Sequence, residues 1–344
     1  MVSRHAQAII TPGRVVVVCL IMVVVLIITM AVALVAGTAD VSFSHIAGII
    51  TGSLPPDDPL RLIVLKIRLP RIILAGLAGF SLALGGVVFQ AILRNPLADP
   101  FILGVSSGSA FGAVLAIFCG LGFSFGVPVF SFAGALLTIY LVMSLGAKRM
   151  GMESSTILLT GVIINAFFTA VIMFFISVSA NERLHSMLFW LYGDLSRSRI
   201  GQLGFIAPIV LAVFCWLYSL SKELNIITTG DDIAAQLGVN VGSAKKTCLV
   251  LVSLLMGLVV AFSGLIGFVG LIVPHLARMA FRADHRMLMP VASLGGAIFL
   301  IAADTLARTL VSPGELPVGV VTAFMGAPFF ILLLRKKGGQ WSRS

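Results

Sequence analysis

Charge is what this chain has least of. Only 10% of its 344 residues are Asp, Glu, Lys or Arg, while 59% are hydrophobic. Soluble domains carry about 25% charged and about 45–50% apolar residues. The 23 basic and 13 acidic side chains cannot clothe a water-exposed surface over this much hydrocarbon. That shortage excludes a water-soluble enzyme, a nucleic-acid reader and a disordered chain. Mean hydropathy is +1.13, so the solvent is a bilayer. There the backbone must satisfy its own hydrogen bonds, and the spanning segments are helices.

Other absences narrow the function. No GxxxxGK[ST] loop occurs, so the chain is not expected to bind ATP on its own. His5, His45, His185, His275 and His285 are scattered, with no HExxH and no paired-carboxylate motif. Ser106, Ser107 and Ser109 lack a GxSxG context. Cys19, Cys119, Cys215 and Cys248 each lie in an apolar run, without metal-ligand or redox spacing. No catalytic residue, cofactor or metal site is therefore expected in this chain. Carboxylates are almost missing from the apolar runs, which disfavours an ion-driven carrier. The energy source should lie outside the chain. The net charge of +10 would suggest nucleic acid in a soluble protein, but here it fits Lys and Arg in cytoplasmic loops, and no nucleic-acid partner is expected.

What is present is apolar length. Ten runs are candidate spans: 15–36, 71–93, 101–122, 127–147, 155–178, 200–220, 247–264, 268–282, 288–310 and 317–334. The first follows Arg4 and Arg14. It is longer than the ~7–15-residue core of a signal peptide and is read as a retained span. The eighth is short for a ~30 Å hydrocarbon core. Only Gly264-Leu265-Ile266-Gly267 separates it from the seventh, so a tight turn or re-entrant hairpin is expected. The chain reads as one all-α, polytopic transmembrane domain, residues 1–344, with about ten transmembrane helices.

Placing the N-terminus in the cytoplasm puts 15 of the 23 cations inside, which supports cytoplasmic N- and C-termini. Of the outside cations, Arg61, Lys66, Arg68 and Arg71 crowd one short stretch. They read as a docking surface for an acidic partner, or as interfacial anchors and internal ion pairs. Asp304 pairs naturally with Arg308 at i+4. On the inner side, Lys222 to Lys246 turns polar. Asp231 and Asp232 start a short helix through Ile233–Leu237, Gly238 ends it, and a second short helix is expected near Asn240 or Ser243. Gly104, Gly108 and Gly112 form a small-residue stripe that implies close helix packing.

Several stretches carry a family resemblance: IRLPRIILAGLAG at 67–79, ALGGVVFQAILRNPLADPFILGVSSGSAFGA at 83–113 and FWLYGDLS at 189–196. Others are IAAQLGVNV at 233–241, FSGLIGFVGLIVPHLAR at 262–278 and the ADTLAR…ELPVGVVTAFMGAPFFILLL tail at 303–334. In these the chain resembles the FecCD-type permease subunits of binding-protein-dependent ABC importers, which carry siderophore-bound iron, haem and cobalamin.

The resemblance implies a type II ABC importer permease bundle that works as a homodimer, with its path on the two-fold axis, in the bacterial cytoplasmic (inner) membrane. It implies two ATP-binding cassette ATPase subunits beneath, which bind ATP and Mg, and a periplasmic or lipoprotein binding protein above. It makes Asp231, Asp232, Ala235, Leu237, Gly238 and Val239 the ATPase-coupling surface. It makes Arg68, Arg71 and Arg308 receptors for glutamates of the binding protein, with Lys66 and Arg61 widening that surface. By position, the fifth and tenth spans are candidates for the path wall. Thr160, Asn165 and Thr169 then face the path or serve ordinary packing. The cargo is expected to be a metal chelate, an iron chelate first, because that cargo dominates the family.

Overall fold

The structure, a computed structural model, describes residues 11–146, 154–311 and 314–337. Arg4, Lys148, Arg149 and Arg343 of the orientation argument lie outside the described residues.

All ten expected spans appear as apolar helices. Among the described residues, seven are long and apolar enough to cross a membrane, and three more are shorter. The chain opens with α1 (Pro12–Val35), which Thr11 caps through its hydroxyl to Arg14 N and Pro12 begins. Two short helices follow, α2 (Phe43–Thr51) and α3 (Pro59–Leu62). A π-helical turn, Ile63–Arg68, joins α3 to the second span, α4 (Leu69–Ile92). Pro70 has no N–H for the helix ladder, and the turn before it is the widened one.

After a short 3₁₀ turn, α5 (Val105–Phe118) and α6 (Gly126–Gly146) cross as a close pair. The glycine stripe explains it: a Cβ at Gly112 would lie 2.0 Å from Phe130 O, and one at Gly134 would lie 2.0 Å from Gly108 O. Next are α7 (Ser154–Val178), the short α8 (Asn181–Leu191) and α9 (Ile200–Ser219). The polar insert holds α10 (Ser221–Ile227) and α11 (Asp231–Gln236).

Asn240 caps α12 (Val241–Ser263) by accepting from Ser243 N at 3.0 Å. This corrects one expectation. The second short helix near Asn240 is the first turn of the seventh span, because no proline interrupts the run between cap and membrane. The tight turn at 264–268 leads into α13 (Val269–Phe281), whose 13 residues reach only about 20 Å. Then α14 (His285–Thr309) and α15 (Val318–Lys337) complete the chain.

The centre of the bundle is α4, packed on α14, α12 and α13. Its crossing with α14 rests on Gly79 and Gly296, where an added Cβ would lie 2.0–2.1 Å from the opposite carbonyl oxygen. By contrast, α1 leans on α14, buries Ala33, and leaves Val16, Val17, Ile21, Val24, Ile27 and Ile28 exposed. That surface suits lipid contact.

Candidate functional site

Three places collect the polar and strained groups. The first is where the C-terminal ends of α1 and α14 meet the N-terminal end of α4. Arg68 donates through Nη1 to Leu34 O (2.7 Å) and Val35 O (2.8 Å), and through Nη2 to Ala39 O (2.7 Å). It thereby closes carbonyls that the end of α1 leaves without helical partners. Arg71 grips Asp304 through Nε (3.0 Å) and Nη2 (2.9 Å), and Glu315 through Nη1 (2.6 Å). Arg308 Nε stands 3.3 Å from the other Asp304 oxygen, while Nη2 donates to Ala33 O at 3.2 Å.

Arg68, Arg71, Asp304 and Arg308 are 4%, 5%, 1% and 6% exposed. Of the expected docking residues Lys66, Arg68, Arg71 and Arg308, the three arginines are internal, as the ion-pair alternative has it, and Lys66 is exposed. The physical reason is that a buried carboxylate needs charged partners, and Asp304 takes two. Helical spacing revealed its pairing with Arg308. Arg71 was missed as the second partner because it lies 233 residues away.

The second place is a cleft of about 650 Å³, bordered by Ser106, Tyr192, Leu265, Phe268, Gly319 and Phe324 among others. Three chain segments meet beside it: Asp194 N donates to Ser263 O at 3.0 Å, and Gly319 N to Tyr192 O at 3.1 Å. Phe268 takes the left-handed φ of 70° just before α13. Its ring lies against Gly326 of α15, where a Cβ would come within 2.4 Å. The walls are mostly apolar, and α15 forms one of them. Thr160, Asn165 and Thr169 do not border this cleft. Thr160 returns its hydroxyl to Thr156 O (2.8 Å), while Asn165 and Thr169 lie exposed on α7. Val162, Phe167 and Met173 are exposed along the same helix.

The third place is the polar insert around α11. Gly230 (φ 135°) and Gly238 (φ 84°) bracket α11 with backbone angles that side-chain-bearing residues adopt poorly. Ala234 is buried with Ile227 and Ala244, which binds α10, α11 and the start of α12 into one small unit. Lys245 Nζ donates to Asp231 Oδ2 at 2.6 Å, and Arg94 stands 3.8 Å from the same oxygen. Asp232, Ala235, Leu237 and Gly238 are exposed, whereas Asp231 and Val239 are half-buried. Ile233 (49% exposed) and Leu237 (65%) give this acidic helix an uncovered apolar face. Sequence reasoning takes Asp231 to Lys246 as the coupling segment but does not single out Ile233 or Lys245 within it. The first reads as ordinary core, and the second becomes informative only once Asp231 faces it.

The FecCD transport family matches residues 24–336. The cobalamin import system permease protein BtuC of Halobacterium salinarum is 42% identical, over 80% of this chain and 74% of its own. The hemin transport system permease protein HmuU of Yersinia pestis is 39% identical, over 83% of this chain and 87% of its own. Among solved structures, an inward-facing ABC transporter assigned to the metal-chelate type superposes with a TM-score of 0.83 at 36% identity, covering 93% of this chain and 99% of that one.

Proposed function

This chain belongs to the FecCD transport family, the permease subunits of ABC transporters whose ATPase is a separate subunit, and from that premise we propose how it works. Two copies form the path, two ATPase subunits bind beneath α11, and a binding protein delivers a metal chelate from the far side. The membrane is the bacterial cytoplasmic one, with both termini inside.

The observation that carries this reading is the exposed, partly apolar face of α11. A six-residue helix held between two left-handed glycines and pinned by Lys245 is built to be pushed. ATP binding in the partner closes the ATPase dimer and moves α11. The bundle answers by opening alternately to each side, and hydrolysis resets it. The apolar cleft beside Phe268 and α15 supports a path whose walls hold cargo weakly enough to release it. Identity alone does not choose the cargo, since the cobalamin and hemin relatives stand at 42% and 39%. An iron chelate remains the first candidate.

At the outer face, docking falls to Lys66, with Arg68, Arg71 and Arg308 fixing the helix ends around it. The test is uptake into liposomes holding the permease with its ATPase and binding protein, offered cyanocobalamin, haemin and a ferric hydroxamate. ATP-dependent uptake of one cargo is expected. ATP-dependent uptake by the permease alone would refute the reading.

A further inference from the structure

Resting on the transport reading above, we propose that Asn225 is the positioning residue that passes movement of α11 into α14. Asn225 sits on α10, just ahead of the Gly230 turn into α11. Its side chain reaches across to the first residues of α14. Nδ2 donates to Asp284 Oδ1 at 2.9 Å. Oδ1 accepts from the backbone N–H of His285 at 2.8 Å and lies 2.7 Å from His285 Nδ1. One amide thus makes three contacts to the start of another helix.

The far side of the contact is equally fixed. Asp284 is the N-cap of α14, accepting from Arg286 N at 2.9 Å. The Arg286 guanidinium clamps the same carboxylate at 2.6–3.1 Å. Tyr218 of α9 donates its hydroxyl to Arg286 O at 3.3 Å. Neither end of the contact is a free surface side chain, so displacement of one helix is not absorbed by a swinging rotamer.

Geometry on both sides makes this a transmission point. Ile227 of α10 is buried with Ala234 of α11, so α11 cannot shift without carrying α10. From Asp284, the 25 residues of α14 run roughly 37 Å. They pass the glycine crossing with α4 and end at the buried Asp304–Arg71–Arg308 cluster. A push at the cytoplasmic face therefore meets a rod anchored at the outer face.

The test uses the full complex in liposomes, with cyanocobalamin, haemin and a ferric hydroxamate as cargo probes, reading uptake and phosphate release together. In Asn225→Ala and Asn225→Asp, cargo imported per ATP should fall about tenfold or more. Complex yield and basal phosphate release should stay within about twofold of wild type. The exchange N225D/D284N again sets an amide against a carboxylate, with a residue type that still caps a helix. It should restore the ratio to within about threefold.

An unchanged ratio in both single variants would overturn the inference. So would a fall in yield and thermal midpoint that tracks uptake and is not rescued by the exchange, which would make Asn225 a simple brace. Failure of the wild-type complex to import any probe with ATP would overturn the transport reading instead, and this inference with it.

Discussion

Asp304 ties two arginines together near the end of α14. It is 1% exposed and held by Arg71 and Arg308. Removing one member of a buried pair leaves the others uncompensated, at a cost of about 3–5 kcal/mol. Asp304→Ala should therefore lower the thermal midpoint and the yield of folded permease sharply, measured by fluorescence-detected size exclusion after heating. Arg71→Glu should do the same. Lys66 is exposed, and Lys66→Glu should leave the midpoint unchanged while weakening binding-protein affinity at low ionic strength. A surface charge contributes by steering and by about 0.2–1 kcal/mol of pairing. Equal affinity in wild type and Lys66→Glu would remove Lys66 from the docking surface. At the start of α14, Arg286 hydrogen bonds hold the Asp284 carboxyl down to about 2, from an ordinary 3.8, against the opposing effect of burial. A carboxyl so depressed stabilises the fold fully above its ordinary value and loses that contribution as pH falls through the folded value. The thermal midpoints of wild type and Asp284→Asn should thus differ at neutral pH and converge in the pH window from 3.8 down to about 2.

Among the elements, α11 is bracketed by two positive-φ glycines, Gly230 and Gly238. Gly238 has φ 84°, and nothing lies within 4 Å of where its Cβ would be. A larger residue there meets no clash, only the cost of a left-handed backbone, which is steep for a β-branched side chain. Gly238→Val should consequently leave membrane insertion and complex yield intact while uncoupling phosphate release from uptake. Uptake per ATP equal to wild type would make the α11–α12 turn a passive linker. The α5–α6 crossing answers to packing instead. Gly112→Leu would drive a side chain into the Phe130 carbonyl, and it should abolish folding rather than coupling.

For the whole molecule, the exposed apolar side chains of α7 and α15 leave surface that a second copy would cover, as the proposed two-fold assembly requires. Native mass spectrometry of the detergent-purified complex should show two permease chains with two ATPase chains. A single permease chain in a transport-competent complex would contradict the homodimer.

The sequence by itself determined the solvent, the ten apolar helices, the short eighth span behind its glycine turn, and the polar insert with its first helix and its terminal glycine. These follow from local composition, where run length and glycine placement dictate the outcome. It also determined the Asp304–Arg308 pair, since helical spacing makes residues four apart neighbours. Tertiary structure decided which arginines are free. Whether Arg68 faces water or the end of α1 depends on where α1 packs, and no local pattern encodes that. The same holds for Arg71 on Asp304, for Lys245 on Asp231, and for Asn225 on the first turn of α14. Each exists only because the packing of separate helices brings two polar groups within hydrogen-bond reach.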